Sequence, residues 1–168
     1  ASPAEGEVFY EGTDQMPGGP RLFFTCGTRE GTEGGVTAVQ GAYNLTDEGA
    51  KMLLNAILFM AKEGPGPGNI TPDKQIIWIT ESIGADPVHD IGFIDLLKGA
   101  GHKVTTAIDT FQRDLTQEQT DALNEVDVVI MSRTVNSGNY NVPSDWNTLS
   151  VPVIQISPYL VRSSRWQW

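Results

Sequence analysis

Short apolar runs separated by polar stretches dominate the pattern of residues 74–168. The run Val128, Val129, Ile130 and Met131 has no polar alternation, which is typical of a strand covered on both faces by helices. Helical patterns alternate with such runs, so we expect a parallel α/β sheet. The predicted strands are 75–80, 103–108, 127–131 and 151–156, with 75–80 and 127–131 in the sheet interior, and the predicted helices are 88–98 and 117–124.

Residues 1–63 show a different pattern. Two β-rich runs, 8–10 and 21–25, flank a Pro-Gly-Gly-Pro turn signal and predict a hairpin. A Gly- and Thr-rich loop over 26–43 is long enough to indicate a functional or a mobile segment. Thr46 then caps a predicted helix over 47–62, which is expected to be largely buried. Its apolar face comprises Met52, Leu53, Ala56, Ile57 and Met60, widened by Leu54, Leu58 and Phe59.

Capping signals support the two later helices. Asp86 followed by Pro87 is typical of an N-cap with proline at the first helical position, and the Gly99 to Gly101 stretch would end the same helix. Thr116 and Gln119 have the spacing of a capping box. The local signals therefore agree with the periodicity.

The composition excludes several classes of protein. A chain of 168 residues is about one domain, and its net charge of -10 argues against a nucleic-acid partner, which needs a basic face. The single cysteine, Cys26, excludes an internal disulfide framework. No apolar run approaches the roughly 20 residues that span a bilayer. We expect no membrane span and no cofactor.

Two sequons, Asn44-Leu45-Thr46 and Asn69-Ile70-Thr71, accompany a low lysine content. These features are compatible with export. We therefore expect an extracellular or periplasmic location.

Two stretches resemble a known family. The segments VFYEGTDQMPGGPRLFFTCG and LTDEGAKMLLNAILFMA resemble the closing hairpin and last helix of ThuA-like domains, relatives of the class I glutamine amidotransferase fold. The remainder, with IIWITE, SRTVNSGNY and SPYLVRSSRW, resembles a flavodoxin-like module of large exported bacterial multidomain proteins. The resemblance implies a fragment of a larger chain, with flanking domains or self-association as partners.

The order of these parts is unusual, because a terminal hairpin and helix (1–63) precede an opening Rossmann-like unit (74–168). The chain either spans two modules or is a permuted single sheet. A hairpin and one helix cannot bury their apolar faces alone, so we favour one compact α/β domain over 1–168. The expected fold is a three-layer, flavodoxin-like, mostly parallel sheet with an N-terminal hairpin and helix.

The candidate binding residues lie in loops that follow strands. Consecutive parallel strands point the same way, so the loops after Thr80, Met131 and Ile156 should meet at the carboxyl edge in one polar pocket. Guanidinium groups there suit a small polar, anionic or carbohydrate ligand, although internal ion pairing is the alternative. The candidates are Glu81, Ser132, Arg133, Asn136, Ser137, Tyr140, Tyr159, Arg162 and Arg165.

A catalytic alternative uses Cys26, which follows a strand as the amidotransferase nucleophile does. With His89 and Glu81 it would form a triad, and Ser132 with His89 is a second nucleophile and base pair. The strand-to-helix elbow of amidotransferases is missing, because a long loop separates Cys26 from its helix, and we therefore favour a small buried or half-buried thiol. His102 precedes its strand and belongs to the opposite edge. We therefore prefer a binding or assembly module without an intact triad, with a hydrolase as the alternative.

The acidic and histidine side chains after Thr80 are candidate ligands for a divalent cation or for acid and base chemistry. These are Glu81, Asp86, His89 and Asp90. In the other interpretation Asp86 is a cap, Asp90 favours the first helical turn and His89 is solvated. No metal site is predicted.

Three tryptophans near the end of the chain, Trp146, Trp166 and Trp168, have two interpretations. Their rings would stack on sugars, or be covered by the core or by a neighbouring molecule. The sequence leaves both open.

Overall fold

The computed structural model describes residues 18–27, 31–33, 36–38, 41–61, 73–82, 90–166 and 168. The first strand of the predicted hairpin, 8–10, lies outside these ranges, as do Asp86, Pro87 and His89, so the predictions made on them stay untested. None of the helices within these ranges is both long and apolar enough to cross a membrane.

Seven strands and four helices follow one another along the described chain. Five strands form one parallel sheet in the order β1-β7-β6-β4-β5, and β2 with β3 forms a separate antiparallel pair within the long Gly- and Thr-rich segment. The strands are β1 Arg21–Phe23, β2 Gly31–Glu33, β3 Val36–Ala38, β4 Gln75–Thr80, β5 Lys103–Ile108, β6 Val128–Met131 and β7 Val153–Gln155. The helices are α1 Asp47–Met60, α2 Ile91–Gly99, α3 Gln117–Asn124 and α4 Pro143–Asn147.

The strand order is that of a flavodoxin-like sheet with its last strand moved to the front of the chain. Counted from β4, the strands β5, β4, β6 and β7 have the order 2-1-3-4, and β1 occupies the fifth place, beside β7. Arg21 pairs with Val153 and Phe23 pairs with Gln155. The predicted three-layer α/β fold is confirmed, and the strand from the first third of the chain joins the same sheet.

The two faces of the sheet bury separate apolar layers, because side chains alternate along each strand. Ile77 is 8% exposed and Val129 is fully buried, as predicted for interior strands. One layer joins the strands to α1 and α2 through residues such as Leu53, Ile57, Trp78 and Phe93. The other joins them to α3, α4 and the end of the chain, and its members include Ile79, Leu123, Met131, Trp146 and Trp166.

Helix α1 is capped as predicted, since the Thr46 hydroxyl accepts a hydrogen bond from the Gly49 amide at 3.2 Å. Its buried face differs from the prediction at two positions. Met52 and Phe59 are each 63% exposed, so placing them on the buried face was wrong. They are seven residues apart and lie at one edge of the apolar stripe, whereas the sheet covers the stripe's centre at Leu53, Ile57 and Met60.

Helix α2 begins at Ile91, three residues later than predicted, because Asp90 has non-helical backbone angles. The Asp90 carboxylate makes no capping bond to the helix. It instead accepts hydrogen bonds from Trp78 Nε1 at 2.6 Å and from the Thr80 hydroxyl at 3.2 Å. Asp90 is almost fully buried, so it fixes the start of α2 to β4.

Helix α3 matches its predicted bounds, and its capping box is confirmed. The Thr116 hydroxyl accepts from the Gln119 amide at 3.2 Å, while the Gln119 side chain accepts from the Thr116 amide at 3.0 Å. The short helix α4 was not predicted.

Two of the three tryptophans near the end of the chain, Trp146 and Trp166, are covered by the chain itself, and Trp168 is half-buried. The rings of Trp146 and Trp166 stack at 5.1 Å between centroids and are fully buried. Trp166 Nε1 donates to the Tyr140 carbonyl at 2.6 Å, and Trp168 Nε1 donates to Asn147 Oδ1 at 2.9 Å. These bonds hold the terminal segment against α4.

The start of β1 is held by backbone contacts at the amino edge. A Cβ atom on Gly19 would lie 2.1 Å from the Ser150 carbonyl oxygen, so only glycine permits this approach. The fully buried Arg21 guanidinium donates to the carbonyl groups of Pro20, Trp146, Asn147, Leu149 and Val151. The segment before β1 is therefore locked against the segment that leads into β7.

Candidate functional site

A cavity of about 410 Å³ opens at the carboxyl edge of the sheet, where β1, β6 and β7 end. It exists because β1 lies beside β7, so the residues that follow β1 meet the residues that follow β6 and β7. The cavity is lined by Thr25, Cys26, Gly27, Asn44, Arg133, Ile156, Pro158 and Tyr159.

The segment that follows β1 forms one wall. Gly27 has a φ of +84°, a conformation that favours glycine. Its amide donates to Asn44 Oδ1 at 2.8 Å. This bond joins the end of β1 to the segment that enters α1, and it brings Asn44 to the cavity.

Arg133 and Tyr159 line the same cavity. The Arg133 guanidinium carbon lies 4.9 Å from the Tyr159 ring centroid, and Arg133 is only 5% exposed. Arg162 lies 5.0 Å from the same centroid. It also donates to the Ser137 hydroxyl at 3.2 Å and to the Tyr159 carbonyl at 2.9 Å. Arg162 and Ser137 thus hold the loop that carries Tyr159, without lining the cavity themselves.

Arg133 is the only charged side chain among the described residues that line the cavity. The chain as a whole has a net charge of -10, so the charge of this wall is opposite to that of the protein. A guanidinium group offers several donors in a planar fork, which fits carboxylate and phosphate oxygens.

Cys26 lines the same cavity, but its thiol is not activated. Burial raises the pKa of Cys26 to about 12, so the thiol is protonated at neutral pH. Its proposed partner His89 lies outside the described residues. Residues 27–46 separate Cys26 from α1, and part of that segment forms β2 and β3, which agrees with the missing amidotransferase elbow.

Ser132 does not face the cavity. It is fully buried, and its hydroxyl is hydrogen-bonded to the Thr134 hydroxyl, which in turn bonds to the Thr80 hydroxyl at 2.6 Å. The Ser132 hydroxyl also accepts from the Thr134 amide at 2.9 Å. This hydroxyl network fixes the loop after β6 to the end of β4, and it gives a substrate no access to Ser132 Oγ.

Glu81 ties neighbouring loops together above β4 and β6. Its carboxylate accepts from the Asn136 amide at 3.0 Å, from Asn139 Nδ2 at 2.9 Å and from Gln112 Nε2 at 3.3 Å. The loops after Thr80 and Met131 thus meet as expected. Glu81 is buried in this contact and does not line the cavity. Asn136 is exposed and is not among the described lining residues, and its side chain accepts from the Gly138 amide.

Two further candidates lie away from the cavity. Tyr140 is fully buried, with its hydroxyl donating to the Thr110 carbonyl at 3.3 Å. Burial, followed by the charge of Glu81, raises the pKa of Tyr140 well above its usual value. Arg165 donates to the Ser164 carbonyl at 2.9 Å. Of the nine predicted binding residues, Arg133 and Tyr159 are the two that line the cavity.

The cation site suggested after Thr80 has no counterpart in the described part of the chain, where no three His, Cys, Asp or Glu side chains are grouped closely enough to hold a metal ion. Asp90 faces Trp78 and Thr80. Asp86 and His89 lie outside the described ranges.

Several lining residues were missed by the sequence reasoning, namely Thr25, Gly27, Asn44, Ile156 and Pro158. The available signal was the β-rich run that ends at Thr25. Had that run been placed in the main sheet, the residues after it would have joined the carboxyl edge.

Comparison with models of known families, with curated proteins and with solved structures found no match.

Proposed function

We propose that this chain is a binding module for a small polar or anionic ligand, held in the cavity at the carboxyl edge of β1, β6 and β7. In this proposal it is a ThuA-like, amidotransferase-like domain without an intact catalytic triad. The observation that supports it most is the position of Arg133, a buried guanidinium on the wall of a cavity whose other described lining residues are uncharged.

The location and size of the cavity agree with such a role. Open α/β sheets bind their ligands outside the carboxyl ends of the strands. A volume of about 410 Å³ lies within the usual range of small-molecule sites, roughly 300–1,000 Å³. The cavity lies over β1, β7 and β6, next to the β4 and β6 switch point where strand order reverses. At that switch point Glu81 and Asn136 already bond to each other.

A hydrolase is the alternative, because Cys26 lines the cavity. Its protonated thiol and the buried Ser132 hydroxyl count against it. Hydrolysis of glutamine or of p-nitrophenyl acetate that is lost in Cys26→Ala would favour the hydrolase over the binding module.

The biological setting belongs to the same proposal. We place the chain among exported bacterial proteins with several domains, where a binding module would act beside flanking domains or self-associate. The sequons and the low lysine content are compatible with this setting.

Binding is best measured by isothermal titration calorimetry with acetate, benzoate, inorganic phosphate, phenyl phosphate and glucose. Protection of Cys26 from slow alkylation provides the location, because that thiol lines the cavity. We expect at least one of these compounds to bind, to slow alkylation and to lose affinity in Arg133→Gln. The matched control is Arg165→Gln, which removes a guanidinium outside the cavity and should keep affinity. Binding that neither protects Cys26 nor depends on Arg133 would overturn the proposed site.

A further inference from the structure

Strand β5 forms one edge of the parallel sheet. Within the described part of the chain it is the last strand in the order β1-β7-β6-β4-β5, and its one neighbour is β4. We propose that this edge is an interaction surface for a second copy of the chain, whose β5 adds in antiparallel orientation and continues the sheet. The surface lies at the opposite edge from β1, so it is separate from the cavity over β1, β6 and β7.

The backbone of β5 alternates between groups that bond to β4 and groups that point outward. The Lys103 amide donates to the Lys74 carbonyl at 2.8 Å, and the Asp109 amide donates to the Thr80 carbonyl at 3.0 Å. In the parallel register between these two bonds, every second residue of β5 faces β4. The others point away from it, and no hydrogen bond from another described segment reaches their amide and carbonyl groups. These outward-facing residues are Val104, Thr106 and Ile108.

Strand β5 has few of the features that keep edge strands from pairing with other molecules. Such edges are usually very short, or carry proline, a bulge or several charges. The six residues of β5, KVTTAI, contain no proline and keep an unbroken register with β4. Lys103 is the only charged residue of the strand, and most of the others are β-branched, which favours a place within a sheet.

Charges at the two ends of β5 favour one register for pairing with a copy of itself. Lys103 opens the strand and Asp109 follows its last residue, and both residues are exposed. An antiparallel pair centred on Thr106 places Lys103 of each chain opposite Asp109 of the other. Opposite charges at directly facing positions stabilise a pair of strands. The two Thr106 residues then face each other on the two-fold axis, as a symmetric dimer requires.

The backbone groups agree with that register. In an antiparallel pair, facing residues exchange two hydrogen bonds at every second position. Centring on Thr106 places Val104 opposite Ile108, so each bonded pair consists of two outward-facing residues. A shift by one residue would place outward groups opposite groups that already bond to β4. A shift by two would keep the bonds but separate Lys103 from Asp109.

Amide hydrogen exchange of the wild-type protein tests the interface without a variant. Sedimentation equilibrium over about 1 µM to 1 mM, the range of weak association, measures the fraction of dimer. Where about nine-tenths of the chains are dimeric, the outward amides should exchange about tenfold more slowly, because only the monomer exposes them. Nuclear magnetic resonance at low and high protein concentration resolves the amides of Val104, Thr106 and Ile108. The internal control is the Thr105 amide, which faces β4 in both states and should change much less.

Two variants test the register and the backbone pairing. Lys103→Glu places like charges opposite each other at both ends of the pair, so the dissociation constant should rise about tenfold or more. Lys51→Glu, at an exposed position of α1, makes the same change in net charge and should leave the dimer unchanged. Thr106→Pro removes the central outward amide hydrogen. Edge strands tolerate proline where the amide faces solvent, so the chain should still fold while the dimer is lost.

The outcomes decide the interface separately from the proposed function. A protein that stays monomeric up to about 1 mM would overturn the interface. A dimer in which the amides of Val104, Thr106 and Ile108 exchange as fast as in the monomer would overturn it too. A dimer that is unchanged in Lys103→Glu overturns the register. None of these results bears on ligand binding in the cavity, which lies at the other side of the sheet.

Discussion

The guanidinium of Arg133 lies over the ring of Tyr159, with 4.9 Å between the guanidinium carbon and the ring centroid. The two residues follow different strands, β6 and β7, that are neighbours in the sheet. Their contact joins the two loops at the mouth of the cavity and keeps the charge of Arg133 at its wall. This pair connects the stability of the site with its electrostatics.

Replacing Tyr159 by leucine should lower both the stability of the folded chain and the affinity of the cavity for a carboxylate probe. Loss of the contacts between the ring and the two guanidinium groups is expected to lower the free energy of unfolding by about 1 kcal/mol. Affinity for a carboxylate probe should fall with it, because Arg133 is less well oriented. Tyr159→Phe keeps the ring and serves as the control. Urea denaturation and calorimetry measure the two effects, and equal behaviour of the leucine and phenylalanine variants would contradict the role of the ring.

The pH dependence of Cys26 follows from its burial. Its pKa is raised from 9.0 to about 12 in the folded protein, so between these values the unfolded chain loses the proton while the folded chain keeps it. This contribution to stability is fully present below pH 9.0 and is lost as the pH rises towards 12. The rate at which iodoacetamide alkylates Cys26 should therefore rise only well above pH 9. In 8 M urea, about the concentration that unfolds small domains, the alkylation rate should depend on pH as it does for an ordinary exposed thiol. If the alkylation rate of the folded protein depends on pH in that same ordinary way, the thiol of Cys26 is accessible to solvent and the prediction is wrong.

The three hydrogen bonds to Glu81 require a carboxylate. In Glu81→Gln the amide NH₂ replaces one acceptor and meets donors from Asn136, Asn139 or Gln112. We expect the free energy of unfolding to fall by about 1–3 kcal/mol. Glu125→Gln, at the exposed end of α3, removes the same charge without these bonds and should have no such effect. Chemical denaturation of both variants measures the difference.

Gly19 should not tolerate a side chain. Alanine there would bring its Cβ to 2.1 Å from the Ser150 carbonyl oxygen, a backbone atom that cannot move alone. We expect a loss of about 2 kcal/mol or more in the free energy of unfolding. At Gly99, the last residue of α2, a Cβ would meet no atom within 4 Å, so Gly99→Ala should be neutral or stabilise by up to about 1 kcal/mol. Thermal unfolding of the pair measures the contrast, and equal melting temperatures would contradict the close approach.

His102 should make the protein less stable in mild acid. Burial, followed by the charge of Lys74, lowers the pKa of His102 below its ordinary value of 6.5, while Asp127 opposes the shift. The stability is fully present above pH 6.5 and is lost as the pH falls through the lowered value, because the unfolded chain takes up the proton first. His102→Gln should flatten the dependence of unfolding free energy on pH in this range. The wild-type protein provides the reference curve.

The sequence alone determined much of the layered core. The bounds of β4, β5 and α3 were predicted to the residue, because their apolar runs, proline and glycine positions and the Thr116 cap act over a few neighbouring residues. The interior place of β4 and β6 also followed from the sequence, since a strand that is apolar on both faces has no exposed side. Because consecutive parallel strands point the same way, the carboxyl edge was also identified as the place where the loops meet.

Tertiary structure decided which residues form the cavity. The pairing of β1 with β7 joins positions about 130 residues apart, and no local pattern near Arg21 specifies that partner. Once β1 lies there, Cys26 and Asn44 face Arg133 and Tyr159. The direction of each loop side chain depends on contacts with several elements. Those contacts bury Ser132 and Tyr140 in the core, whereas Arg133, next to Ser132, lines the cavity. Sequence periodicity constrains a side chain only within its own strand or helix, whereas the arrangement of loops from separate strands depends on how the whole sheet is packed.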